Sequence, residues 1–231
     1  MNQSVLDNPA WEALNSLHAN FAYGTNEAKR YRYDVLPFTG CKDGEKGSMI
    51  TLDDFIARDE SFYIIGEVLP VLPARWAVEY ELPCAQMVLK KAGGIPPAVT
   101  GSAAVVEELG DNNANEMFDL INTVQPGYYK TGTRLLGSYF GIRQEGRLVA
   151  MAGERMRLPG FSELSAICTL TGYTGRGYAQ QLIARLCQLH AKNNIVSFLH
   201  VALTNQRAIG LYEHMGFYQR RTIIFRKMKK W

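Results

Sequence analysis

The chain has 231 residues, of which 47% are hydrophobic and 20% are charged. This composition excludes intrinsically disordered, collagen-like and low-complexity proteins. The 25 Lys and Arg residues exceed the 22 Asp and Glu residues by three, which is too near neutral for a protein that coats nucleic acid. The length allows one large domain or two small ones.

The cysteines and the N-terminal segment indicate a reducing compartment. The four cysteines are widely separated, with no Cys-x-x-Cys pair and no histidine at ligand spacing, so neither a metal site nor a disulfide framework is predicted. The first residues do not resemble a secretory signal, and no apolar stretch approaches the ~20 residues of a membrane-spanning helix. We therefore expect a cytoplasmic protein without a metal or a membrane contact.

The first hundred residues are predicted to form short helices and then strands. One helix begins at Pro9, and its apolar stripe would comprise Trp11, Leu14, Leu17, His18 and Phe21. A second short helix begins at Thr51, and residues 61–68 and 75–82 are strand candidates. Residues 90–101 contain three Gly and two Pro, and the main domain boundary is predicted there. A long loop within one continuous sheet is the alternative.

Beyond that boundary the elements follow the order β-α-β-β-β-α-β-α-β. A helix begins at Asp111 and stops before Pro126, and two strands joined by a Gly-containing hairpin follow. A third strand at residues 162–170 precedes strictly alternating helices and strands. This pattern predicts an α/β (α+β) fold with a mixed, mostly antiparallel central sheet flanked by helices, and residues 1–100 add an N-terminal α/β region.

A glycine-rich turn, TGYTGRG, connects the strand at residues 162–170 to a helix at residues 178–192. The backbone N–H groups of such a turn, together with the positive end of the helix dipole, can bind a phosphate without a lysine. A dinucleotide fingerprint is excluded because Gln180 stands where its last glycine would be, and the Gly-Lys-Ser/Thr of a P-loop is absent. A turn whose glycines serve backbone geometry alone is the alternative.

The segment TGRGYAQQLI at residues 174–183, followed by Asn205, Ala208 and LYEHMGF at residues 211–217, resembles the GNAT superfamily of acetyl-CoA-dependent N-acyltransferases. The motifs cover residues 174–217, and the strand order extends the resemblance back to about Ala103. Thr174 stands where the family usually has Gln or Arg. The resemblance implies a GNAT-type acyl-CoA N-acyltransferase fold for residues 101–231, with acetyl-CoA as the acyl-donor cosubstrate and no metal.

The same resemblance assigns residues to the acyl donor. The pyrophosphate of CoA would bind the turn formed by Thr174, Gly175, Arg176, Gly177, Tyr178 and Ala179. The pantetheine arm would pair with the backbone of Ile167, Cys168, Thr169 and Leu170. Asn205 would cap the last helix and contact CoA, and Tyr212 would also lie against the cosubstrate.

Two residues are implied to be catalytic. Tyr212 would protonate the departing thiolate, and Glu163 would take the proton of the amine. Burial beside apolar neighbours would raise the pKa of Glu163 toward neutrality. Glu154 is the rival base, and an ordinary polar residue at a strand end is the alternative for Glu163. We expect His190 and His200 to be structural.

The sequence therefore predicts an N-acetyltransferase that transfers an acetyl or other short acyl group to a primary amine of a small molecule or a protein by direct attack on the thioester. A catalytically weak acyl-CoA sensor or interaction module is the alternative, because Thr174 departs from the motif. Acceptor specificity is expected in loops such as residues 126–133. Residues 1–100 could form a degenerate second copy of the fold, a substrate lid or a dimer surface.

Overall fold

The structure is a computed structural model that describes residues 2–90 and 104–231. The predicted domain boundary therefore lies, except for Lys90, outside the described residues. The helices are α1 Pro9–Leu14, α2 Ala114–Val124, α3 Tyr178–Lys192 and α4 Gln206–His214. The strands are β1 Ala22–Gly24, β2 Ala28–Tyr31, β3 Phe38–Cys41, β4 Ser61–Gly66, β5 Trp76–Leu89, β6 Val106–Leu109, β7 Tyr139–Gln144, β8 Arg147–Leu158, β9 Phe161–Thr169, β10 Val196–Ala202 and β11 Phe217–Lys230.

These strands form one sheet in the order β1-β2-β3-β4-β11-β5-β10-β9-β8-β7-β6. The pairs β3–β4 and β9–β10 are parallel, and the other neighbouring pairs are antiparallel. The predicted mixed, mostly antiparallel sheet with flanking helices is confirmed, as is the element order predicted beyond residue 101. Within the described chain, no helix has both the length and the apolar character needed to cross a bilayer.

Strand β5 connects the two halves of the chain. It lies between β11, with which it pairs along its length, and β10, with which residues 84–88 pair. Because β5 precedes residues 91–103 and both of its partners follow them, strands from both sides of the predicted boundary share one sheet. A division at residue 100 does not separate two sheets, and the described strands fit the alternative of one continuous sheet.

The two helices predicted in the N-terminal region differ from what the pattern indicates. Helix α1 ends at Leu14, and Leu17 is exposed instead of extending the apolar stripe. The side chain of Asn15 donates to the carbonyl of Trp11, and the hydroxyl of Ser16 donates to a carbonyl in the same helix, so polar side chains take the place of further helical bonds. The second helix is a 3₁₀ helix, Ile50–Phe55, rather than an α-helix.

Hydrogen bonds of the His18 ring link the N-terminal region to the segment that precedes β7. Its Nε2 donates to the carbonyl of Leu136 at 3.1 Å, so its Nδ1 accepts from the hydroxyl of Tyr31 at 2.9 Å. Burial lowers the pKa of His18 to about 4, and the ring is therefore neutral at physiological pH. A neutral imidazole thus holds two distant parts of the sequence against one core.

Candidate active site

Strands β9 and β10 run parallel but stay paired over only three residues each. Residues 161–163 pair with residues 196–198, and the two strands diverge beyond these positions. Ala166 has a φ of 50°, in the left-handed region, where the register of β9 against β8 shifts. This bulge bends β9 away from β10. The divergence opens a cleft in the sheet whose walls carry unpaired backbone groups.

Strand β9 leads through the glycine-rich turn into α3. Gly175 and Gly177 have φ values of 78° and 74°, which glycine adopts without strain. A Cβ atom built on Gly175 meets no atom within 4 Å, so the space beside the turn is open. The backbone N–H groups of residues 175–180 find no acceptor among the described residues. With the α3 dipole, these donors suit an anion such as a pyrophosphate.

A cavity of about 860 Å³ extends from this turn into the cleft between β9 and β10. It also reaches the first turns of α3 and the inner face of α4. Ten of the residues predicted from the sequence line it together: Ile167, Cys168, Thr169, Thr174, Gly175, Gly177, Tyr178, Ala179, Asn205 and Tyr212. The fold therefore gathers the two sequence motifs around one space.

Two residues predicted to bind the acyl donor do not line this cavity. The backbone N–H of Leu170 donates to the carbonyl of Val149 at 2.9 Å, so it is not available to a ligand. The guanidinium of Arg176 stacks on the ring of Tyr173, 5.0 Å from its centroid. Of these two residues, only the backbone N–H of Arg176 remains a candidate donor.

Helix α4 contributes Asn205 and Tyr212. The side-chain oxygen of Asn205 accepts from the N–H of Ala208 at 3.2 Å, which confirms the predicted cap. Tyr212 lies two helical turns further on, on the same face. Burial raises the pKa of Tyr212 to about 12, so its phenol keeps its proton at neutral pH and can donate it.

Glu163 is fully buried and does not itself line the cavity. Its carboxylate accepts from Nε of Arg155 at 2.8 Å, from Nη2 of the same residue, and from Nδ1 of His200 at 2.7 Å. Burial alone would raise the pKa of Glu163, but these two partners lower it to about 2. The expected rise toward neutrality is wrong, because the apolar sequence neighbours are not the groups that face the carboxylate.

The rival base, Glu154, is equally engaged. Its oxygens accept from the N–H of Ser138 at 2.7 Å, from the hydroxyl of Ser162 and from Nε2 of His190 at 3.0 Å. Burial opposes ionisation of Glu154, and these bonds outweigh it and lower its pKa to about 2. His190 is buried in this network, as expected of a structural residue. Among the described residues, no Asp or Glu lines the cavity.

His200 lines the cavity although its side chain is only 1% exposed, and both nitrogens of its ring have hydrogen-bond partners. The amide nitrogen of Gln86 donates to the carbonyl of Leu6 at 2.7 Å and lies 3.1 Å from Nε2 of His200. Its amide oxygen accepts from Arg220 at 2.8 Å, which fixes the orientation of the amide. Nε2 of His200 is therefore an acceptor, and its Nδ1 carries the proton that Glu163 accepts. The hydrogen bond from Nδ1 orients the carboxylate of Glu163.

The far end of the cavity, beside the start of β9, is built by residues that the sequence motifs do not contain. We call it the inner end, and its lining comprises Leu82, Cys84, Tyr128, Arg155, His200 and Phe225. The ring of Tyr128 lies 6.3 Å from that of Phe225 and 4.8 Å from that of Tyr63. The inner end is therefore mainly apolar and aromatic. Tyr128 comes from the loop in which acceptor specificity was expected.

Sequence and structure comparisons identify the family of this site. Residues 139–225 match the FR47-like protein family. The crystal structure of a putative acetyltransferase from the GNAT family of Novosphingobium aromaticivorans is 29% identical, covers 98% of each chain and has a TM-score of 0.85. The chain belongs to the GNAT superfamily. As a GNAT protein it is an acyltransferase, and its Novosphingobium relative shares the N-terminal region as well.

Two further solved structures share the GNAT fold at lower identity. A GCN5-related N-acetyltransferase from Kribbella flavida is 12% identical, covers 95% of each chain and has a TM-score of 0.65. A GNAT-family acetyltransferase from Colwellia psychrerythraea is 14% identical, covers 66% of this chain and 58% of its own, and has a TM-score of 0.52. No curated protein sequence matches this chain.

Proposed function

We propose that this GNAT protein transfers an acetyl or other short acyl group from acyl-CoA to a primary amine by direct attack on the thioester. The observation that carries the proposal is that one cavity joins the anion-binding turn, the cleft between β9 and β10, and the aromatic inner end. The turn fits the pyrophosphate of the donor, the cleft fits its pantetheine arm, and the inner end fits the amine.

The donor site relies on backbone groups more than on side chains. The free N–H groups of residues 175–180 would hold the pyrophosphate, with Asn205 and Arg207 on the opposite wall. The backbone of Ile167, Cys168 and Thr169 would pair with pantetheine. The hydroxyl of Thr174, which stands where the family usually has Gln or Arg, donates to the carbonyl of Thr171 within the turn. This difference leaves the backbone donors of residues 175–180 in place. When bound, the cosubstrate supplies the thioester that the amine attacks.

The protonation of the two cysteines in the cavity, Cys84 and Cys168, favours direct attack by the amine over a mechanism with an acyl-cysteine intermediate. Burial raises the pKa of both Cys84 and Cys168 to about 12, so neither thiol is ionised at neutral pH. A thiol without thiolate character is a poor nucleophile. The amine of the acceptor is then the nucleophile, and it must react in its neutral form.

Glu163 has a different role in this proposal from the one predicted for it. A carboxylate with a pKa of about 2 is a weak base at neutral pH, and Glu163 has no surface in the cavity. We therefore assign it as a positioning residue that holds Arg155 and His200 in place. The apolar inner end itself favours the neutral amine, because burial disfavours an ammonium group. Tyr212 would donate the proton to the departing thiolate.

The proposal is tested by measuring thiol release from acetyl-CoA with a panel of primary amines, and CoA binding by calorimetry. We expect binding with CoA alone and thiol release that depends on an amine. CoA binding without release for any amine would favour the acyl-CoA sensor. Absence of CoA binding would contradict both functions.

A further inference from the structure

We propose that the acceptor is the N-terminal α-amine of a polypeptide whose first residues add as a strand to the free edge of β5. The inference rests on the proposed acyl transfer in the same cavity, and it names the acceptor of that reaction. Three independent features of the described residues lead to it: a strand edge beside the cavity with no partner among them, a cavity lining that contains no Asp or Glu, and a donor of Arg155 that has no partner among them.

The first feature is the edge of β5. Strand β11 pairs with β5 along its whole length, whereas β10 pairs only with residues 84–88. Residues 77–82 therefore have no strand partner on their second side among the described residues, and residues 78–81 are exposed. Leu82 and Cys84, at the end of this edge, line the inner end of the cavity.

A peptide can use this edge as a continuation of the cavity. Edge strands present unpaired N–H and C=O groups to which an extended segment adds as a further strand. At about 3.3 Å per residue, the six residues of the free edge offer ~20 Å of pairing surface. A peptide whose N-terminus lies in the inner end would therefore leave along β5. A small amine would leave this edge unused.

The second feature is the chemistry required of the amine. No Asp or Glu lines the cavity among the described residues, so the site favours an amine that is already partly neutral. An α-amino group has a pKa of about 7.7 to 8.0, against about 10.4 for a lysine side chain. At pH 7.5 about one third of α-amino groups are neutral, against about 0.1% of lysine amines. Polyamines are further disfavoured because no carboxylate balances their other charges.

The third feature is Nη1 of Arg155. Its Nε and Nη2 donate to Glu163, and Nη1 has no partner among residues 2–90 and 104–231. Arg155 is one of the residues that line the cavity, so Nη1 is a candidate donor to a ligand there.

This donor suits a carbonyl group better than a carboxylate. Glu163 already balances the charge of Arg155, so a carboxylate at Nη1 would bury a second, uncompensated negative charge. The first carbonyl of a peptide is neutral, and its carbon is bonded directly to the carbon that carries the amine's nitrogen. Tyr128, Leu82 and Phe225 would surround the first side chain, which is therefore apolar or aromatic.

The acceptor class is tested by thiol release from acetyl-CoA with four acceptors. These are a hexapeptide with a free N-terminal phenylalanine, a blocked peptide with one lysine, free phenylalanine and spermidine. We expect kcat/KM for the first to exceed that for each of the others by at least about tenfold. The lysine peptide and spermidine have less neutral amine, and free phenylalanine has no chain to pair with β5 and carries a carboxylate. A higher kcat/KM for any of the others overturns the inference, although release with any amine leaves the proposed acyl transfer intact. If no acceptor gives release while CoA binds, both fail.

The strand pairing is tested with hexapeptides that are N-methylated at one backbone amide each. In an added strand, alternate N–H groups face β5, so methylation at alternate positions should lower kcat/KM about 2- to 10-fold each. The intervening positions are the matched controls and should change little. A uniform effect, or none, would overturn pairing with β5. Because these peptides leave the protein unchanged, the result does not depend on whether a variant folds.

Discussion

The glycine-rich turn allows a test of the donor site with a closely matched control. Gly175 has a φ of 78° and open space around a built Cβ, and it lines the cavity. Gly146, in the hairpin between β7 and β8, has a φ of 79° and equally open space but lies outside the cavity lining. Substituting either by Asp adds one negative charge at the same backbone conformation. Only Gly175→Asp places that charge beside the proposed phosphate site.

The expected effects on stability and on binding can be separated. A non-glycine residue in the left-handed region costs roughly 1 to 2 kcal/mol, and both variants should lose stability by that similar amount. For CoA binding, a carboxylate about 4 Å from a phosphate charge costs ~1 kcal/mol in water and ~4 kcal/mol at an effective dielectric constant of about 20. Gly175→Asp should therefore raise the Kd for CoA between about 5-fold and 1,000-fold. Gly146→Asp should leave the Kd unchanged.

Calorimetry with CoA measures the Kd, and urea unfolding measures the stability of each variant. The loss of affinity in Gly175→Asp should shrink as salt rises, because screening weakens the repulsion. An unchanged Kd in Gly175→Asp would refute the assignment of the turn to the pyrophosphate. An equal rise of the Kd in both variants would point to a general effect of stability or net charge instead.

Three further predictions concern titratable residues. Tyr212→Phe should lower kcat about 100-fold in thiol-release assays without changing the Kd for CoA. Because the pKa of Glu163 is lowered from 4.5 to about 2, its ionisation stabilises the folded state above pH 4.5, and this stability is lost as pH falls toward about 2. Urea unfolding of Glu163→Gln at several pH values should therefore lack this acid-dependent loss of roughly 3 kcal/mol. The lowered pKa of His18 likewise gives stability that is lost between pH 6.5 and about 4, and His18→Gln should flatten that window.

The sequence predicts which residues line the cavity at the glycine-rich turn, because those residues are close together in the chain. The strand, the glycine-rich turn and α3 are consecutive, so motif and spacing suffice to bring Thr169 and Gly177 to one space. Hydrophobic periodicity likewise predicts the element order after residue 101. The inner end is different, because Leu82 and Phe225 belong to strands that pair across more than half of the chain. Sequence patterns contain no signal for such pairing.

The pKa of Glu163 could not be predicted from the sequence, because a shift in strand register decides which side chain faces it. Leu158 and Phe161 flank a two-residue turn, so residues about equally distant from it lie opposite one another in β8 and β9. Counted in this way, Met156 rather than Arg155 would lie opposite Glu163. The register shift between Glu154 and Arg157 brings Arg155 to Glu163, and the spacing of the sequence does not predict that shift. His200 could not be found in this way, since it lies on β10, beyond α3.

The position of β5 bears on how the protein is synthesised. On a ribosome, β5 emerges about 128 residues before the start of β11, its longest partner, which ends one residue before the C-terminus. At roughly 5 to 20 residues per second, β5 remains without that partner for about 6 to 26 seconds. Because β11 lies between β4 and β5, loss of β11 would open the sheet in its middle. The middle of the sheet is therefore completed only once β11 has been synthesised.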